Sequence, residues 1–160
     1  MRASPRQRSN RMPGFTMIEL LIVVTIVGIL AAIALPMYFE QVTRSKITDG
    51  VAKLGSYQAK MWDYYNDHAS TFVNPPLSNT CGLAAAPVNP DDYFTITCGG
   101  PPVPTDTTFT VRATGIAAKG MGGFTYSITQ TNAKATVSVP AGWSLPVPNT
   151  CWATRKDGSC

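Results

Sequence analysis

Residues 15–35 read FTMIELLIVVTIVGILAAIAL, an almost uninterrupted apolar run. No water-soluble chain can leave that much hydrocarbon uncovered, so this segment limits the possible folds more than any other feature. Coiled as a helix at about 1.5 Å per residue, it is long enough to cross the roughly 30 Å hydrocarbon core of a bilayer. Arg2, Arg6, Arg8 and Arg11 lie just before it. Positive charge holds that end on the cytoplasmic side, which sends the rest of the chain to the opposite, periplasmic face. A cleaved secretory signal is the rival reading, with Ala32-Ile33-Ala34 as its small-residue cut site. Against it, the run is long for a signal, and it carries Glu19 near its start, where a signal peptide gains nothing from a carboxylate.

The leader also accounts for the charge. The chain has 13 Lys and Arg against 9 Asp and Glu, a net charge of +4. The four leader arginines supply that excess, leaving nine basic against nine acidic residues from Phe15 onward. Bulk charge therefore argues only weakly for a nucleic-acid partner.

Beyond Pro36 the apolar positions become periodic. Ile47, Val51, Leu54, Gln58, Met61 and Tyr65 recur at three- and four-residue intervals, and Lys46, Asp49, Lys53, Lys60 and Asp63 occupy the other face. This spacing predicts one amphipathic helix to about residue 66. Pro36 lacks an N–H and is expected to bend it; Gly50 and Gly55 are weak helix formers kept for close packing. Asn74-Pro75-Pro76 and Ala86-Pro87-Val88-Asn89-Pro90 mark an irregular connector holding Cys81. Strands are expected at 93–97, 107–114, 124–130 and 133–139, the last two joined by a tight Thr131-Asn132 hairpin. Phe109, Val111 and Ala113, then Phe124, Tyr126 and Ile128, alternate as one buried sheet face would. Residues 115–123 read as a longer loop, and the chain after Pro140 as proline-punctuated loop.

All four cysteines, Cys81, Cys98, Cys151 and Cys160, lie in the C-terminal half. On the oxidising side of a membrane they read as disulfides. Three pairings are possible, and Cys81–Cys98 with Cys151–Cys160 closes the shortest loops. Zinc is the competing use, but the spacing gives no CxxC pairs and His68 alone could assist.

Glu19 stands out on physical grounds. A carboxylate in an apolar span is costly unless paired, which makes it a candidate functional residue. Cleavage after Gly14 would free an ammonium group at Phe15, one helical turn away, and the helix N-terminus itself favours negative charge.

The stretch Gly14-Phe15-Thr16-Met17-Ile18-Glu19, with a basic leader before it and an apolar helix interrupted by Gly28 and Pro36 after it, resembles the prepilin motif of type IV pilins and type II secretion pseudopilins. The ending Cys151-Trp152-Ala153-Thr154-Arg155-Lys156-Asp157-Gly158-Ser159-Cys160 looks like that of minor pilins of the PilE kind. Met17 stands where leucine is commoner, and Pro13 where a basic residue is usual. The resemblance implies an α+β fold: a long N-terminal helix packed on an antiparallel sheet of about four strands. It implies a leader at 1–14, a membrane and filament-core helix at 15–36, an amphipathic helix at 37–66 and a sheet-bearing head at 67–160. It further implies cutting between Gly14 and Phe15 by a prepilin peptidase, N-methylation of Phe15, and partnership with an inner-membrane assembly platform. Other pilin subunits would be polymer partners, with Glu19 guiding docking and Gly28 and Pro36 allowing local unwinding in the filament. The precursor would sit in the bacterial inner membrane and the product in the extracellular pilus.

No paired catalytic carboxylates, phosphate loop or metal cluster is apparent, so neither enzymatic activity nor a cofactor is expected. Asp91-Asp92 supplies too few oxygens for calcium, and His68 reads as a surface residue. Trp62, Tyr64 and Tyr65 read as packing groups rather than a ligand box. Arg155 and Lys156 are the candidate contact points for DNA, a surface or a neighbouring subunit, because a disulfide-bounded loop presents side chains rigidly. The reading is a structural subunit, with minor pilin first, major pilin second and secretion pseudopilin third. A DNA- or surface-binding role in uptake is compatible with any of these.

Overall fold

The computed structural model describes residues 14–74 and 77–160. The expected leader, apart from Gly14, and the Pro75-Pro76 part of the connector lie outside the described residues. The chain divides into two compact units at Phe39/Glu40. Helix α1 (Met17–Asp67) contributes to both and continues through Gly28 and Pro36.

In the first unit the side chains of α1 are exposed from Met17 to Phe39, Ala31 apart. In the second unit the helix buries a stripe. Ile47, Leu54 and Met61 are fully buried, with Val51 and Tyr65 partly covered. Gly50 and Tyr57 join this stripe, which is broader than the sequence spacing indicated because a helix resting on a sheet buries more than one residue per turn. Gln58, at the border, turns its Nε2 to donate to the Thr129 carbonyl at 2.7 Å.

Four strands form the main sheet in the order β3 (Phe94–Cys98), β4 (Thr110–Gly115), β5 (Thr125–Thr129) and β6 (Lys134–Ser138), all antiparallel. Val111 faces Ile128 and Ala113 faces Tyr126 across β4 and β5, so the alternating apolar residues meet in register and are fully buried. Arg112 and Ser127 pair on the opposite face. A smaller two-stranded sheet, β1 (Val73–Asn74) with β2 (Leu77–Cys81), replaces part of the irregular connector expected there. Ser78-Asn79-Thr80 carries no apolar alternation, so no strand signal is present there.

Two turns are tighter or longer than expected. The β5–β6 hairpin has three loop residues rather than two. Asn132 donates to the Thr129 carbonyl at 3.0 Å, and Thr129 donates to Ala133 at 3.1 Å. Asn132 itself is left-handed at φ 62°, the pattern of a type I turn closed by a bulge. Residues 115–123 enclose a 3-10 turn (Ala117–Lys119), and Met121 beside it is fully buried.

Cys81 joins Cys98, tying β2 to the end of β3, and Cys151 joins Cys160. Their Cα separations of 5.9 and 6.2 Å fall in the ordinary disulfide range.

At Gly50 the helix lies close against the sheet, with the Phe94 ring in the space a Cβ would occupy. A methyl group there would overlap the ring carbons, whereas Gly55 faces open space. Gly50→Ala is expected to destabilise the chain by about 1–3 kcal/mol through overpacking. Gly55→Ala should stabilise it by up to about 1 kcal/mol through helix propensity. Thermal unfolding of the detergent-solubilised variants, followed by circular dichroism, checks the opposite signs.

Candidate functional site

The N-terminal candidate residues gather around the first turn of α1. Phe15 is 81% exposed. Thr16 precedes the first helical residue, and its hydroxyl accepts a hydrogen bond from the Glu19 N–H at 3.2 Å. In return, Glu19 Oε2 accepts from the Thr16 N–H at 3.1 Å and from the Thr16 hydroxyl at 3.0 Å. This reciprocal arrangement is a capping box, which satisfies backbone donors that a helix start leaves open. Glu19 thus has a local task that the sequence reading, concerned with ion pairing, did not assign. The Thr-x-x-Glu spacing was the signal for it. A Cβ at Gly28 would meet open space, and Pro36 lies exposed within the helix.

The second set lies in the C-terminal loop. Arg155 and Lys156 are exposed between the two half-cystines. Asp157 stiffens the turn: its Oδ1 accepts from the Ser159 N–H at 2.9 Å and the Ser159 hydroxyl at 2.7 Å. Those bonds hold the Asp157 carboxyl below its ordinary value. The loop is fixed to the sheet by residues the sequence did not single out. Thr136, fully buried on β6, donates its hydroxyl to the Cys151 carbonyl at 2.8 Å and accepts from the Ala153 N–H at 2.9 Å. Tyr126 donates to the Ala153 carbonyl at 2.8 Å, and burial raises its phenol well above the usual range. Trp152 Nε1 donates to the Ser127 carbonyl at 2.9 Å, and the Lys134 ammonium sits 4.7 Å from the Trp152 ring centre. Lys134 is therefore brought to the same loop as Arg155 and Lys156.

The remaining candidates have structural surroundings. His68 stacks on Tyr64 with centroids 3.9 Å apart at the exposed end of α1. Trp62 and Tyr65 meet Phe72 edge-on and tilted, at 5.0 and 4.4 Å. Asp92 lies 2.6 Å from Lys53, which also contacts Asp49 at 2.9 Å. Asp92 Oδ2 further accepts from the Asn89 N–H at 2.7 Å. Its neighbour Asp91 stays exposed.

Comparison with known proteins agrees with this geometry. Residues 9–35 match the prokaryotic N-terminal methylation motif. Residues 36–137 match a family described as type IV minor pilin ComP, DNA uptake sequence receptor. The chain belongs to this family of type IV minor pilins. The fimbrial protein EcpC of Eikenella corrodens is 36% identical over 115 residues, covering 72% of each chain. A type IV major pilin protein, PilE1, of Neisseria gonorrhoeae is 36% identical over 74 residues, covering 46% of this chain and 43% of its own. The type IV major fimbrial protein FimA of Dichelobacter nodosus is 39% identical over 69 residues, covering 43% of each. This pilin is a structural subunit of a type IV pilus, made as a membrane-anchored precursor whose apolar helix enters a polymer of pilin subunits in the extracellular filament.

The ion pair around Asp92 gives the head of the pilin a pH dependence. The Lys53 hydrogen bond, then the Asn89 N–H, hold the Asp92 carboxyl below its ordinary value of 3.8. A depressed carboxyl contributes stability that is complete above the ordinary value and is lost as pH falls through the folded value. Lys53 is raised above 10.5, chiefly by its hydrogen bond to Asp92, so its share is lost only on the alkaline side. Acidification below about pH 4 should loosen the loop carrying Asn89 and Asp92, read as faster proteolysis there. Asp92→Asn should be loosened already at neutral pH and show little further change on acidification.

Proposed function

We propose that the chain is cut between Gly14 and Phe15 by a prepilin peptidase and N-methylated at Phe15. It is then held at an inner-membrane assembly platform, with its head in the periplasm, and inserted into the pilus as a minor component. The observation that carries this reading is the methylation motif at residues 9–35, which takes in the apolar start of a helix whose side chains are exposed in the single chain. Such a surface is stable only in lipid or against other helices of its kind. Catalysis has no part in this reading; the role is that of a scaffold. Local unwinding between Gly28 and Pro36 on packing would lengthen the helix within the filament, and the lack of side-chain contacts around Gly28 leaves that segment free to change.

Glu19 has two separable tasks in this reading, capping its own helix and pairing with the Phe15 ammonium of a neighbouring subunit. Glutamine serves in a capping box but carries no charge. Glu19→Gln and Glu19→Val should therefore both be cut and methylated, and both should be depleted at least about tenfold from sheared filaments, as expected for an unpaired intramembrane partner. Quantitative mass spectrometry of the methylated Phe15 peptide, in filaments and in membranes, measures this. Normal incorporation of Glu19→Gln would leave capping as the only task of Glu19.

The head's role in this reading is to bind DNA for uptake. The description of the matched family supports it, as does the grouping of Lys134, Arg155 and Lys156 at one rigid loop. The family match ends at residue 137, so Lys134 lies within it and the loop beyond it. Phosphate contacts release counterions, and each adds about 0.9 to the salt slope of duplex binding. Replacing all three cations with glutamine should make that slope shallower by about 2–3. Titration of full-length pilin in detergent with duplex DNA at several salt concentrations tests this. Absence of binding at low salt would remove DNA capture from the reading, and an unchanged slope would move the contact elsewhere on the head.

A further inference from the structure

The two outer strands of the main sheet end differently. At the β6 edge, the Asn149 side chain takes the place of a further strand: its Oδ1 accepts from the Thr136 N–H at 2.8 Å, and its Nδ2 donates to the Thr136 carbonyl at 2.9 Å. At the other edge, β3 pairs with β4 through Tyr93, Thr95, Thr97 and Gly99. The outermost of these bonds run from Ile116 N–H to Tyr93 and from Gly99 N–H to Thr110. In an antiparallel ladder the alternate residues then turn their backbone groups outward. These are Phe94, Ile96 and Cys98; at the first two, no hydrogen bond from the described residues reaches the N–H or C=O groups. Both residues are almost completely buried. Backbone groups in that position are normally satisfied, so their lack of partners calls for an acceptor and donor from elsewhere.

A groove of about 220 Å³ lies against this edge. Its lining includes Phe94 and Ile96 on the sheet side, Tyr57 and Lys60 on α1, and Pro87 and Val88 on the connecting loop. The loop is hydrogen-bonded at both ends, and between them Ala86 packs against the core while Pro87 and Val88 stay exposed. Tyr57 donates to the Leu83 and Ala84 carbonyls, each at 2.9 Å, and Lys53 holds Asp92 at the other end. Val88, midway, is 54% exposed, and Pro87 has no N–H to offer β3. The charge of the groove is also specific. Lys53 is matched by Asp49 and Asp92, whereas Lys60 is exposed, with no carboxylate within 4 Å among the described residues.

We propose that this groove receives an extended peptide strand of a partner protein, which adds to β3 as a fifth strand. Its backbone would satisfy Phe94 and Ile96, an apolar side chain would enter between Tyr57 and Val88, and an acidic residue would face Lys60. A second copy of this chain fits less well. Its β6 edge is already filled by Asn149, and two-fold pairing through β3 would present the same uncompensated cation from both sides.

The test uses the full-length pilin in detergent, displayed heptapeptides as the probe, and Lys60→Glu as the variant. Lys60 is exposed and unpaired, and circular dichroism confirms that the variant is folded. The wild type should select peptides that alternate apolar residues with one acid. Lys60→Glu should bind them about tenfold more weakly and select a base at that position instead. The strongest wild-type peptide should slow amide exchange at Phe94 and Ile96. Failure to select any peptide would overturn the proposal, as would peptides that ignore Lys60→Glu and leave those two amides unprotected. Slow exchange at both amides in the unbound pilin would also overturn it: independence of concentration would give the edge to the pilin's own loop, and dependence on concentration to a second copy.

Discussion

One helix must satisfy two different surroundings, and the rest of the structure follows from that constraint. Before Phe39 its side chains are almost all apolar and, Ala31 apart, exposed, so they need lipid or neighbouring helices. After Glu40 only one face is apolar, and the chain supplies its own cover in the form of a sheet. The Gly50–Phe94 contact sets how near that sheet can come. Leu54 and Met61 then bury completely, where truncation to alanine costs about 2–5 kcal/mol each. The sheet thus covers the amphipathic half of the helix, and the side chains of the apolar first half remain exposed.

Covering one face of a helix with a sheet creates two sheet edges, and the chain deals with them unequally. The C-terminal segment lies along β6, held there by Asn149, Thr136, Tyr126 and Trp152, and the Cys151–Cys160 bridge closes the segment on itself. This protects the edge from pairing with other chains and at the same time brings Lys134, Arg155 and Lys156 to one rigid loop. The β3 edge is crossed only at its end, by Cys81–Cys98, and otherwise faces a groove. A filament subunit is surrounded by other chains, so a strand edge with unpaired backbone groups is a hazard unless its partner is specified. The unmatched Lys60 is one means of specifying it.

Much of the fold was legible because its signals are local. The apolar run, the helical stripe and the alternation of Phe109, Val111, Ala113, Phe124, Tyr126 and Ile128 each depend on spacing within one element. Tyr57 and Gly50 were not placed in the core by spacing, since the width of a buried face depends on what packs against it. The β1–β2 hairpin was missed because Ser78-Asn79-Thr80 has no apolar period. Glu19 was recognised as exceptional, but attention to its charge obscured the capping box that Thr16 forms with it. Arg155 and Lys156 were legible as a rigid pair between cysteines. Lys134 was not, because only folding brings it over Trp152.

The sequence by itself determined the long helix, its division into a bare apolar half and an amphipathic half, the four main strands and the motif at Gly14–Glu19. These depend on hydrophobic period and on contacts within a few residues, which a chain carries before it folds. The tertiary structure decided which sheet edge is closed, which cations share a loop and where the groove opens. Those outcomes depend on donors and acceptors far apart in the chain, such as Asn149 with Thr136 or Trp152 with Ser127, whose meeting no spacing encodes.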